Sequence, residues 1–317
     1  ESQVLWESCA DKISLATVYR NLSLVYYNKL HDADKAQTAL ERAFAMDKTD
    51  ARVFFELDQL YKTLNYSLEK RLDNMNSNAE LLEKRDDLYT EYITLLNLNG
   101  EYMNAYNRIM NHNFHPWEGG EGKIPAQYRI VLMGMAKTAD REDAIKYLEQ
   151  ALVYPHNLGE GKLIGNTDSD IYYMLGGLYE DKAKAENAYK LASRGEFELS
   201  SAMYYNDQPP QMLYYAAKAL EKLGDRKEAE NRFNKFIEYA NTHMNDTVKI
   251  EYFAVSLPDF LIFEGDLSKN NRVHCCLMAA LGYMGLGENA KAKEYAEKGL
   301  EENGCNGELR KVLMEIE

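Results

Sequence analysis

The sequence predicts an all-α fold: a right-handed α-solenoid of about seven helical hairpins, with loop insertions and a C-terminal capping helix. Three observations predict it. Small residues recur along the chain at Ala36, Ala105, Ala144, Ala188, Ala229 and Ala292. Each stands in one frame, with large residues at offsets 4, 11 and 24, small ones at 8 and 20, and a turn near 15. No stretch sustains the strict alternation of apolar and polar residues that a half-buried strand requires.

Packing explains the frame. Two helices approach closely only where one of them offers Ala or Gly and a large residue opposite fills the groove. A hairpin built this way leaves apolar surface on both sides and needs neighbours to stack on. The first pair runs through Tyr26, Ala36, Leu40 and Ala43. A degenerate second copy spans Phe54, Tyr61 and Asn74, with Lys70 where the small residue belongs. Further pairs surround Ala105, Ala144, Ala188, Ala229 and Ala292. The closing helix, from about Glu308 to Ile316, gathers Leu309, Val312, Leu313 and Ile316 on one face, as a solvated cap requires. Helix starts follow from Ser77 with Glu80 and Asp225 with Glu228, both at capping-box spacing, and from Asp140. Gly100 and Gly224 mark turns inside pairs. A single domain over 1–317 is expected: regular repeats at about 16–112, insertion-bearing repeats at about 113–305 and the cap at about 306–317.

Composition narrows the function. The 317 residues carry 37 basic and 51 acidic side chains, a net charge of −14, which argues against a nucleic-acid partner. The longest apolar run, Cys275 to Leu286, is too short for a membrane span. The four cysteines do not form a disulfide framework and favour a reducing, cytoplasmic compartment. Glu1 lacks the marks of a natural start, so periplasmic or secreted placement stays open.

The repeat spacing widens from 34 and 35 residues to 39, 44, 41 and 63, and all six prolines lie between Pro116 and Pro258. Insertions in a solenoid become loops on one face, often the binding face. Two are related: Asn113-Phe-His-Pro-Trp-Glu-Gly-Gly-Glu-Gly-Lys123 and Tyr154-Pro-His-Asn-Leu-Gly-Glu-Gly-Lys162. Their Gly-Glu-Gly-Lys cores stand 39 residues apart, one repeat, which sets them side by side. Their candidate binding residues are His115, Trp117, Glu118, Glu121, Lys123, His156, Asn157, Glu160 and Lys162. Two readings fit equally: a ligand surface, or a seal on the end of the helix stack with Trp117 as a plug. Neither loop is a P-loop, because Trp117 and His156 replace its first glycine.

A third insertion adds Tyr204, Tyr205, Asn206 and Asp207 as binding candidates, with Asn206-Asp207 more simply read as capping the helix after Pro209-Pro210. The fourth, Asn245 to Asn271, is apolar enough to pack against the solenoid. Glu118, Glu121 and Glu160 could pair as carboxylates for glycosidic cleavage, though no catalytic residue is assigned. His112, His115, His156, His243 and His274 lack zinc-site spacing, so neither metal nor cofactor is expected. His274-Cys275-Cys276 reads as core. Tyr19, Tyr26, Tyr61, Tyr179 and Tyr283 fall on packing positions. The doublets 26–27, 172–173, 204–205 and 214–215 cannot point both rings one way on a helix, so one of each is available to the concave groove.

The frame resembles tetratricopeptide (TPR) repeats. Three stretches, 115–123, Ser201 to Pro210, and Tyr252 to Phe260 with Asn271-Arg-Val-His274, resemble the C-terminal helical array of large bacterial proteins with an N-terminal β-sandwich domain of unknown function. That resemblance implies a fragment of a longer protein linked to carbohydrate use in gut-type bacteria. The expected function is a non-catalytic scaffold binding a peptide, a protein segment or the protein's own N-terminal region. The alternative is a carbohydrate-binding or carbohydrate-processing accessory module that takes oligosaccharide through the Gly-Glu-Gly-Lys loops.

Overall fold

The structure, a computed structural model, describes residues 6–9, 15–117, 119–163, 165–201, 207–248 and 262–316. Among these residues there is no strand, and the helices fall into seven consecutive pairs and a closing helix. The pairs are α1 (Ala16–Asn28) with α2 (Ala33–Met46), α3 (Ala51–Thr63) with α4 (Leu68–Asn76), and α5 (Asp86–Leu98) with α6 (Tyr102–Met110). They continue as α7 (Lys123–Thr138) with α8 (Arg141–Ala151), and α9 (Ser169–Leu178) with α10 (Lys182–Ala192). The last are α11 (Pro210–Lys222) with α12 (Arg226–His243), α13 (Leu267–Gly285) with α14 (Asn289–Glu302), and the closing helix α15 (Gly307–Ile316). The chain is an all-α array of TPR-like hairpins, as its frame predicts.

Two compact units share it. One holds the described residues up to Leu95 together with 262–266, and the other those from Leu96 to 248 together with 267–316.

Turn chemistry recurs from pair to pair. Two or three residues past the first helix of five pairs stand His31, Asn65, Gly100, Gly224 and Gly287, all at positive φ. This left-handed residue ends a helix by turning the chain back while satisfying the last carbonyls. Four second helices then start on an aspartate. Asp32 accepts from the Lys35 amide, Asp140 from Asp143, Asp181 from Lys184 and Asp225 from Glu228. The Ser77 start does not form. Ser77 ends α4, and Asn78 precedes a 3-10 turn over Ala79–Lys84.

In the first unit, Ala36, Ala39, Leu40 and Ala43 of α2 are buried. Lys70, which breaks the frame, is exposed and its ammonium lies 3.8 Å from the Tyr66 ring centroid. The buried position is the next one. Arg71 is fully enclosed, donating to Asp58 at 3.0 and 2.6 Å and to Glu91 at 2.7 Å. Burial works to raise both carboxyls. Lys62 and Arg71 nevertheless hold Glu91 down at about 2, while burial prevails at Asp58 and pushes it up. An ionic knot thus replaces the small-residue contact in the degenerate pair. Of the fourth insertion, residues 249–261 lie outside the described set. Its end packs on α1: Asn28 donates to the Ile262 carbonyl and accepts from the Glu264 amide, and buried Phe263 meets Tyr27 edge-on at 5.3 Å.

In the second unit the seams are set by glycines facing large side chains. A Cβ on Gly134 of α7 would stand 2.5 Å from the Tyr102 ring of α6, and one on Gly176 of α9 2.6 Å from the Tyr189 ring of α10. At Gly282 of α13 it would meet Ile237 at 2.7 Å and the Phe233 carbonyl at 2.8 Å. Residues 275–281 of α13 are all buried, which accounts for the long apolar run as an enclosed core helix. No described helix is long and apolar enough to cross a membrane.

Packing corrects the tyrosine assignment in part. Tyr19 and Tyr61 are core, but Tyr26, Tyr179 and Tyr283 are only half-buried. Tyr26 and Tyr179 donate to Glu7 and Glu149, which keeps their hydroxyl ends near the surface. Tyr214 and Tyr215 are both buried, because α11 packs against α9, α10, α12 and α13 and has no solvent side there.

Replacing Gly282 by Ala is expected to cost about 2–3 kcal/mol, since the added methyl meets fixed backbone in a packed seam. Gly161→Ala, in open space, should change stability by less than about 0.5 kcal/mol. Urea unfolding of the two variants checks the contrast; equal stabilities would refute the packing argument.

Candidate functional site

The two related loops meet, and backbone groups do most of the joining. The Phe114 amide donates to the Asn157 carbonyl at 2.8 Å. The Asn157 side chain donates to the carbonyls of Ile109 and His112, at 2.7 and 2.9 Å, which ties the second loop to the end of α6. Gly159, at φ +73°, lies so close that a Cβ there would stand 2.4 Å from the Phe114 carbonyl oxygen. Glu160 accepts from the Gly122 amide at 2.7 Å, just ahead of α7. Burial pushes the Glu160 carboxyl up, the Gly122 amide pulls it down, and nearby Glu121 adds to the upward push.

The other loop residues divide. Trp117 is half-buried with its ring over Gly120, and the Gly120 amide donates to the Trp117 carbonyl. Lys123 is half-buried at the start of α7, while His115, Glu121 and His156 are exposed. Glu118 lies outside the described residues, as do Tyr204, Tyr205 and Asn206. Lys162 turns away from the paired loops to bind Asp168 and the Leu152 carbonyl. Asp207 does not cap α11, whose N-cap is Pro209 without side-chain help. Instead its charge acts on Tyr239 and His274. Of the loop candidates, Asn157 and Glu160 are therefore spent on joining successive hairpins.

A buried ionic cluster behind the second loop escapes sequence reasoning. Arg129 of α7 donates to Asp170 at 2.6 Å and faces Asp168 at 3.5 Å, and Lys162 closes on Asp168 from the other side. Asp168 and Asp170 are almost fully enclosed. Burial pushes the Asp168 carboxyl up against the pull of Lys162 and Arg129. Burial and the two aspartates likewise raise the Tyr154 hydroxyl, which Arg129 opposes. The aspartates flank a helix start, where they read as ordinary caps, and nothing in the chain announces a partner 41 residues away.

Nucleophilic chemistry at His274-Cys275-Cys276 is disfavoured by its surroundings. Burial lowers the His274 imidazole, which contacts the Ser200 carbonyl at 2.9 Å. Burial pushes the Cys275 thiol up to about 12, where almost no thiolate forms near neutrality. Among the described residues no cluster of His, Cys, Asp and Glu could hold a metal ion.

The inner tyrosines build a second surface. Tyr173 of α9 packs against Tyr189 and Tyr215 with ring centroids 5.8 and 5.4 Å apart, and Tyr215 packs on Tyr214 at 5.3 Å. The closing helix reaches this surface as well as packing on α13 and α14. Tyr215 donates to Glu315 at 3.2 Å, Lys137 of α7 lies 3.6 Å from the same carboxylate, and the Lys311 ammonium stands 5.1 Å from the Tyr215 ring centroid. A narrow recess remains between α11, α13 and α15, lined by Gln211, Tyr214, Tyr215, Met284 and Lys311 among others.

No family model matches the chain. Among solved structures the chain is similar to the TPR domain of P58(IPK), at 10% identity over 99% of this chain and 91% of that one, with a TM-score of 0.26. It is also similar to the C-terminal part of a TPR repeat-containing protein from Cytophaga hutchinsonii, at 15% identity over 98% and 93% of the two chains, with a TM-score of 0.24. Superpositions this loose carry no argument, so the functional reading rests on the chain's own geometry.

Glu160→Ala should lower stability by about 1 kcal/mol, the worth of one half-exposed hydrogen bond to a carboxylate, and Glu160→Gln should retain it. Hydrogen exchange at the Gly122 amide checks the cause: it should quicken in the alanine variant and stay slow in the glutamine one. Unchanged exchange in both would remove the clasp.

Proposed function

We propose that the chain is a non-catalytic protein-interaction scaffold whose second unit binds a peptide or protein segment on its inner tyrosine face. One observation carries the reading. First helices of successive hairpins, α7, α9 and α11, bring Lys137, half-buried Tyr173 and enclosed Tyr215 together beside a narrow recess. Tyrosines give large contact area at low entropic cost, and flanking lysine and glutamate supply polar registration. This is the composition of a helix-in-groove site. The partner is a peptide or protein segment.

Half-buried Trp117, with exposed His115 and Glu121 close by in sequence, supports a second reading in which this corner of the loops stacks on oligosaccharide. The loops' internal hydrogen bonds weigh against it.

A peptide array and a glycan array probed with the intact chain separate the two. The scaffold reading expects peptide hits at micromolar affinity that slow hydrogen exchange in α7, α9 and α11 and weaken about tenfold with Tyr173→Ala. Glycan hits lost with Trp117→Ala, with no peptide hits, would overturn it.

A further inference from the structure

The closing helix does more than end the stack. Beyond the last pair, it reaches the first helices of earlier pairs in the second unit. Gly307 comes within about 3.2 Å of Leu98 at the end of α5, measured from where its Cβ would stand. Glu315 meets Lys137 of α7 and Tyr215 of α11, and Lys311 feels the charge of Asp170 of α9. Leu309 and Val312 are buried against the last pair. A capping helix needs only that last contact. This one also lies along the inner face.

Its two sets of contacts differ in quality. Leu309 has a built seat: Gly299 sits inside α14, where glycine weakens a helix, and a Cβ there would stand 2.5 Å from Leu309 Cδ1 and 3.0 Å from Cys276 Cβ. The inner contacts are looser. The Lys137–Glu315 pair spans 3.6 Å with the two side chains 42% and 29% exposed, and the hydrogen bond from Tyr215 to Glu315 is long at 3.2 Å. The recess opens on this side, whereas the glycine seams elsewhere leave no room. Only two apolar residues of α15 are fully buried, and Met314 is 62% exposed. A helix of ten residues does not hold its shape alone in water, so α15 is either docked and helical or released and unfolded.

From this we infer that α15 is a resident ligand of the inner face. It occupies the site in cis and gives way to an amphipathic helix of a partner that repeats its register. The partner helix carries two aliphatic residues three positions apart, as Leu309 and Val312 are. It carries a lysine and a glutamate four apart on the adjoining stripe, as Lys311 and Glu315 are. The inference rests on the scaffold reading above and adds its regulation: the site is closed until a longer or better-matched helix displaces α15. Affinity for any partner is then reduced by the fraction of chains in which α15 is docked.

The test keeps the chain whole. A fluorescently labelled peptide of residues 303–316 is titrated into the wild type and into the double variant Leu309→Asp, Val312→Asp, which undocks α15 by burying two unpaired charges. The expected result is saturable binding to the variant, about tenfold or more tighter than to the wild type, and weakened about tenfold when Tyr215→Ala is added. A variant that keeps its helical content and cooperative melt yet binds no peptide, or binds no better than the wild type, overturns the inference. If the variant does not fold, native-state hydrogen exchange on the wild type decides. The amides of α15 should open separately, roughly a hundredfold faster than those of α13. Exchange of α15 and α13 as one unit overturns the inference. Array peptides that bind with α15 still protected would leave the scaffold reading standing and remove only this one.

Discussion

The array depends on how closely its helices approach. At four helix contacts of the second unit, a glycine on one helix accepts a large side chain from the other: Gly134 with Tyr102, Gly176 with Tyr189, Gly285 with Phe233, Gly299 with Leu309. Glycine in a helix interior is unfavourable by about 1 kcal/mol relative to alanine, so each of these positions weakens its own helix. Packing density along the seam offsets that loss, because the facing ring or methyl fills space that a Cβ would take. The same rule sets where α15 docks, and through α15 it shapes the surface assigned to a partner.

Two other places join helices through buried charge. In the degenerate second hairpin Arg71 is enclosed with Asp58 and Glu91, joining α3, α4 and α5 through hydrogen bonds instead of a small-residue contact. Behind the second insertion Arg129, Asp168, Asp170 and Lys162 do the same between α7 and the loop entering α9. Buried ion pairs contribute little net stability, but losing one partner strands the other, so they enforce a single arrangement. They stand where the sequence frame is weakest: a missing small residue in one case, an insertion in the other.

The seven hairpins were legible because each small anchor, and each Asp or Gly at a turn, reports a local constraint. Ala36, Ala105, Ala144, Ala188, Ala229 and Ala292 are all buried, at 0–3% exposure, which is why one frame finds the pairs. The adjacency of the two Gly-Glu-Gly-Lys loops was legible for the same reason, since equal offsets from equivalent helices place them together. Long-range pairing was not. No periodicity announces that Arg129 meets Asp170 or that Glu315 meets Lys137, because such contacts depend on how hairpins stack and not on position within one. The doublet at Tyr214 and Tyr215 misled for a related reason: helical geometry separates the two rings, but α11 is covered on both sides. The loop residues were correctly placed near one another, yet hydrogen bonds to backbone, invisible in a sequence, occupy Asn157 and Glu160.

These features favour a surface held ready by rigid first helices over a site made of loops. The loops clasp neighbouring hairpins, the seams fix their spacing, and the tyrosine face under α15 is the surface proposed for a partner. A double-mutant cycle at the Gly285–Phe233 seam tests the underlying constraint most directly, because a Cβ on Gly285 would stand 2.5 Å from Cε1 of the fully buried Phe233 ring. If seam packing governs the array, Gly285→Ala and Phe233→Leu will each destabilise the chain, and the double variant will be more stable than their sum by about 1–2 kcal/mol. Additivity within about 0.3 kcal/mol would show that glycine and ring do not share the space, and would contradict the account.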